Sequence, residues 1–114
     1  MVRTFVSVAR MDTGLAAAGL YCYEKQIPTV AASKIAGLES NYGIRDLQTL
    51  RYFTIHQSAD VEHAAQWESV LSRNEPDEKT AARVADRVLD ALWAALTEIH
   101  ANCDDPDAAA SALA

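Results

Sequence analysis

The sequence has 114 residues, half of them hydrophobic, with only four glycines and three prolines. That is enough for one small domain, helical and globular rather than disordered or collagenous. The net charge is −6 at pH 7, but residues 1–73 carry seven acids and seven bases, so all the excess acid follows Arg73. A nucleic-acid surface needs a basic patch, and this distribution excludes one. No apolar run approaches the roughly 18 residues of a membrane-spanning helix. Met1-Val2-Arg3-Thr4-Phe5 lacks the apolar core and cleavage site of a signal peptide. Cys22 and Cys103 form no C-x-x-C, and the expectation is reduced thiols in a cytoplasmic protein.

Taken in order, residues 3–10 are apolar enough for a short helix, which Asp12-Thr13-Gly14 breaks. Asp12 or Thr13 can cap the helix that follows, from Gly14 or Leu15 to about Ile27. Pro28 stands where that helix kinks or restarts. The segment from Pro28 to Tyr42 is Ala-rich, with Val30, Ile35 and Leu38 as buried candidates, and Asn41-Tyr42-Gly43 is a helix stop. A long helix is expected from about Asp46 to Ser72, with Leu47, Leu50, Phe53, Ala64, Trp67 and Leu71 at three- and four-residue spacing. Asn74-Glu75-Pro76-Asp77 is a turn, with Asp77 as the next N-cap. The last helix runs from about Glu78 to His100, its apolar face made by Val84, Val88, Leu89, Leu92, Trp93, Leu96 and Ile99. His100 sits where a cation suits the helix dipole. No strand pattern or internal repeat is visible. The expected fold is all-α: a single helical domain over residues 1–102, with an acidic, Ala-rich tail over 103–114 that frays.

The stretch that carries chemistry is His56-Gln57-Ser58-Ala59-Asp60-Val61-Glu62-His63. At about 100° per residue, Asp60 lies about 40° to one side of His56 and His63 about 20° to the other. Two imidazoles and a carboxylate therefore share one narrow stripe. Nitrogen and oxygen without thiolate suit iron or another borderline divalent metal. Asp60-x-x-His63 is also the acid-x-x-His pair of carboxylate-bridged two-metal bundles. On the residues alone, an exposed polar face with two ordinary histidines explains the same pattern. Glu24 sits among apolar and aromatic neighbours, where a buried carboxylate needs a partner and a cation is a natural one; a surface pair with Lys25 is the plain alternative. Lys34 is either a snorkelling surface lysine or, if buried, an amine nucleophile or acid–base group. It can face Glu24 only if Pro28 bends the axis.

Tyr21-Cys22-Tyr23-Glu24-Lys25-Gln26-Ile27-Pro28, Lys34-Ile35-Ala36-Gly37-Leu38, Tyr42-Gly43-Ile44 and Tyr52-Phe53-Thr54-Ile55-His56 with Asp60 and His63 resemble the C-terminal half of the heme-oxygenase-like di-iron oxidases. The resemblance spans roughly residues 14–72. It is nearest to the branch named for the chlamydial protein associating with death domains (CADD), with TenA-like and PqqC-like proteins as more distant relatives. It implies a helical bundle that binds two irons, or iron with manganese, and activates dioxygen. It implies metal ligation by Glu24, His56, Asp60 and His63. In the CADD branch the reaction supplies para-aminobenzoate for folate synthesis from a tyrosine of the protein itself, with a lysine as amino donor; Lys34 matches that lysine. The family's other ligands, a Glu and a His on an early helix, have no counterpart in these residues.

Two classes of function follow. One is an iron-dependent oxidoreductase, with dioxygen and a small or self-derived organic substrate, and Lys34, Tyr21 and Tyr23 as nearby reactive groups. The other is a non-catalytic helical module whose uncovered apolar face binds a partner. Both lead to an expected association, with a second copy or with a chain supplying the missing helices. Neither involves nucleic acid or a membrane. A TenA-like hydrolase is a weaker third, because Cys22 and Cys103 sit in no recognisable nucleophile arrangement.

Overall fold

A computed structural model describes residues 1–103 of the chain. Five helices follow one another: α1 (Val2–Ala9), α2 (Thr13–Glu24), α3 (Ile27–Tyr42), α4 (Leu47–Asn74) and α5 (Glu78–Cys103). The described residues hold no strand, as the all-α expectation requires. Two caps, Asp12 and Asp77, match their sequence signals, and Asp46 makes a third. Asp12 accepts from Leu15 N at 3.2 Å, Asp46 from Thr49 N at 2.8 Å and Asp77 from Thr80 N at 2.9 Å. Those bonds satisfy first-turn donors that no carbonyl reaches. Their cost falls on the capping acids in a useful direction: the bonds from Thr49 and Thr80 hold the Asp46 and Asp77 carboxyls below their usual range.

Pro28 decides where α2 stops. It has no N–H to give the carbonyl four residues back, which is Glu24, and its ring crowds that position. α2 therefore ends at Glu24 rather than near Ile27, and α3 restarts after Lys25 and Gln26 with Pro28 in its first turn. α3 ends as expected, on Gly43 at φ 66°, a left-handed conformation that glycine adopts without strain.

α2 is the hub. It packs against α1, α3, α4 and α5, whereas α4 meets only α2 and α3, and α5 only α1 and α2. Its sequence permits this, because Gly14, Ala17, Ala18 and Gly19 are buried and let neighbouring helices approach closely. One side of α2 carries a core of Val8, Val84 and Val88, joined by Phe5, Met11, Leu15, Cys22 and Tyr23. The other side receives α4, which buries Leu50 and Asp60. The molecule measures 47 × 30 × 19 Å, so it is about two helices thick.

Several expected core positions lie outside this packing. Leu47 is 84% exposed, because it follows the Asp46 cap at the open end of α4. Val30 is exposed on α3. On α5 the apolar face is buried at Val84 and Val88 and half-buried at Leu89 and Leu92, whereas Trp93, Leu96 and Ile99 are exposed. α5 continues to Cys103, three residues beyond the expected end, and the rest of the expected tail, 104–114, lies outside the described residues. Cys22 and Cys103 are unpaired thiols.

The close contact at Gly19 makes a direct test. A Cβ there would lie 2.5 Å from Val8 Cγ1 and 3.3 Å from Val88 Cγ2. Gly19→Ala should therefore destabilise by about 1–3 kcal/mol through overpacking. Gly37→Ala, whose new Cβ meets only Asn41 Nδ2 at 3.9 Å, should be neutral or stabilising by about 0.5–1 kcal/mol. Urea unfolding of the two variants measures both, and equal effects would contradict the packing described.

Candidate metal centre

α2 delivers Glu24 from its last residue, and α4 delivers Asp60 and His63 from its middle. One potential ligand atom from each lies within 4.8 Å of the others. Asp60 is only 5% exposed. His63 Nδ1–H donates to Asp60 Oδ1 at 3.0 Å and lies 3.6 Å from Glu24 Oε2. The second Glu24 contact comes from Trp67, whose indole N–H donates to the same oxygen at 3.0 Å. Trp67 stands one turn beyond His63 on the same stripe of α4, and its N–H fixes the carboxylate's orientation.

His56 lines the same cavity but is not gathered into the three-residue cluster. Its Nδ1 lies 2.7 Å from the Tyr52 carbonyl oxygen. A carbonyl can only accept, so Nδ1 carries the proton and the neutral ring keeps its lone pair on Nε2, the arrangement seen in metal-ligating histidines. The Tyr52 ring stacks on His56 at 4.1 Å and 32°. With Tyr23, Ile27 and the four candidate ligands, Tyr52 lines an open cavity of about 250 Å³.

The donor set fits a first-row divalent ion. Bonds of about 2.1 Å to nitrogen and carboxylate oxygen place adjacent donors about 3.0 Å apart. The 3.0 and 3.6 Å separations from His63 Nδ1 are of that size. Its proton occupies the place between two carboxylates that an ion would take.

The other named residues fall elsewhere. Lys34 is exposed and lines a separate groove with Ser33, Gly37, Leu38, Asn41 and Tyr42. The break at Lys25–Gln26 does not turn it toward Glu24. Tyr21 also misses the cavity; its hydroxyl accepts from Lys25 Nζ at 2.7 Å on the exposed side. Cys22 donates to the Gly19 carbonyl, and burial pushes its thiol up, away from the thiolate a nucleophile needs. Sequence reasoning missed the parts played by Trp67 and Tyr52. Their spacing from His63 and His56, four residues each, was the available signal.

The described residues thus gather two carboxylates and a histidine around one point, with a second histidine on the cavity wall, a donor set of the nitrogen and oxygen kind that helical metal proteins use. The chain belongs to the iron-containing redox enzyme family, whose sequence profile matches residues 1–97. It is similar to the 4-aminobenzoate synthase of Nitrosomonas europaea, 41% identical over 92 residues, or 78% of this chain and 37% of that protein. It is also similar to the 4-aminobenzoate synthases of Chlamydia pneumoniae, 38% identical over 100 residues (82% of this chain, 42% of that protein), and Chlamydia trachomatis, 39% identical over 74 residues (65% and 29%). The chain thus spans well under half the length of these relatives. No solved structure gives a significant match. Among the described residues no helix is long and apolar enough to cross a membrane.

Two predictions test the geometry. Trp67→Phe removes the donor that orients Glu24 and should weaken divalent-metal binding about 10–100-fold, the usual effect of losing such a support; titration calorimetry with Mn(II) reads it. Tyr23 is held above the usual phenol range, first by burial and then by the neighbouring Tyr52 phenol and the Asp60 and Glu24 carboxylates. A raised phenol contributes stability that is present below the unfolded pKa and is lost as pH rises through the folded one. In an ultraviolet titration of the four tyrosines, one should ionise late, and Tyr23→Phe should remove that late phase.

Proposed function

We propose that Glu24, Asp60 and His63, joined by His56, hold iron in an oxidoreductase centre, and that they form part of its ligand set rather than the whole. The completed centre holds two irons, or iron with manganese. The observation that carries this reading is the convergence of three ligand atoms within 4.8 Å on a cavity wall, in a member of an iron-containing redox enzyme family.

Non-haem iron, when bound, supplies one-electron chemistry with dioxygen. The chain's own residues supply the setting. Trp67 fixes Glu24, and the Tyr52 carbonyl fixes the His56 tautomer. Tyr23, Ile27 and Tyr52 give the cavity a partly apolar wall on which a flat ring can lie. An engineered apolar cavity of about 150 Å³ holds benzene, so the 250 Å³ here admits one aromatic ring. The name of the relatives, 4-aminobenzoate synthase, supports an aromatic amine as the product class. The substrate in this reading is a small or self-derived aromatic group.

An amine-donor role for Lys34 rests on the resemblance alone, because its groove is separate from the cavity. A cytoplasmic setting belongs to the same proposal, supported by two unpaired cysteines.

A second reading, a non-catalytic helical module, is favoured by the exposed Trp93, Leu96 and Ile99 on α5. Metal content after anaerobic Fe(II) loading and desalting separates the two. The oxidoreductase reading expects about one iron per chain, at least ten times weaker retention in His63→Ala, and a similar loss in Asp60→Ala. Iron that washes off the parent and His63→Ala alike would contradict it and leave the module.

A further inference from the structure

We infer that Trp67 supplies an electron to the iron centre through Glu24. The inference rests on the metal reading above and deepens it. The indole N–H donates to Glu24 Oε2 at 3.0 Å, and Glu24 is one of the three converging ligands. One hydrogen bond therefore joins an oxidisable ring to a carboxylate that would hold the ion. Trp67 stands one turn beyond His63 on α4 and is half-buried, and it does not line the cavity. It reaches the centre from behind Glu24 and leaves the cavity free for a substrate. Part of its ring lies at the surface, where a reductant can restore it.

Other aromatic groups are placed differently. Tyr23 and Tyr52 line the cavity, but among the described residues neither hydroxyl donates a hydrogen bond to Glu24 or Asp60. A phenol gives up an electron readily only when a base takes its proton, whereas an indole can give up the electron alone. The carboxylate on the indole N–H favours the positive charge left on the ring. Trp93, the second tryptophan, is 68% exposed on α5, which does not pack against α4.

The electrons balance at the peroxide stage of dioxygen reduction. A peroxide going to two waters takes up two electrons and two protons. Fe(II) supplies one electron in becoming Fe(III), and solvent supplies the protons. The Trp67 indole supplies the other electron and is left as a cation radical, its N–H still bonded to Glu24. No bond of the ring breaks. A one-electron reductant from solution, of the ascorbate class, returns the ring to its starting state. The second oxidising equivalent is thus drawn out of the cavity, which spares Tyr23, Tyr52 and the histidines when no substrate is present.

One equivalent of hydrogen peroxide, added without air to the full chain loaded with Fe(II) and assayed for iron, tests this. Freeze-quench electron paramagnetic resonance reads the radical, and peptide mass spectrometry after admission of air locates the added oxygen. The expected result is an organic radical whose spectrum narrows with ring-deuterated tryptophan but not with ring-deuterated tyrosine. At least ten times more oxygen should lie on Trp67 than on Trp93, and ascorbate added after the peroxide should remove the radical. Trp93→Phe should keep the radical. Trp67→Phe, brought to the same iron content, should lose it, with the oxygen now on Tyr23, Tyr52 or His63. Oxidation that favours the more exposed Trp93, or a tryptophan radical that persists in Trp67→Phe, would overturn the inference and leave the metal reading standing. Oxidised iron with no tryptophan radical and Trp67 intact would do the same. A chain that retains no iron would overturn both.

Discussion

Two carboxylates, Glu24 and Asp60, meet on the wall of one small cavity, and neither is placed where charge is cheap. Glu24 is the last residue of α2, at the negative end of the helix dipole. Asp60 is buried in the middle of α4. Two donors hold the pair together: the Trp67 indole on Glu24 and the His63 imidazole on Asp60. Like charges at this range repel, and burial strengthens the repulsion. A divalent ion relieves both costs at once. The exposed stripe, the tautomer of His56 and the open rim become parts of one device when a cation is its natural occupant.

The device depends on how close α2 lies to its neighbours. Buried Gly14, Ala17, Ala18 and Gly19 let α2 carry the valine core on one side and bring Glu24 against α4 on the other. Pro28 then ends α2 at Glu24 by withholding the N–H that its carbonyl needs. The proline thus places the carboxylate at the helix end, free to turn toward Trp67 and His63.

Much of this was legible in the residues. The His56, Asp60 and His63 stripe follows from helical period alone, and the caps at Asp12 and Asp77 follow from local hydrogen-bond chemistry. Glu24 drew notice because its neighbours are apolar. What stayed hidden was tertiary. Periodicity shows that Trp93, Leu96 and Ile99 form an apolar face, but not whether anything in the chain covers it. Trp67 read as core because a sequence does not show what its N–H reaches 43 residues away. Lys34 could not be placed either, since its direction depends on the short break between α2 and α3.

The measurement that bears most directly on the central claim is a crystal structure of the iron-loaded chain, with anomalous scattering recorded at the iron edge. The account predicts an iron peak about 2.1 Å from oxygens of Glu24 and Asp60 and from the His63 Nδ1. A peak that lies elsewhere, or Glu24 and His63 found on separate faces with no iron between them, would contradict it.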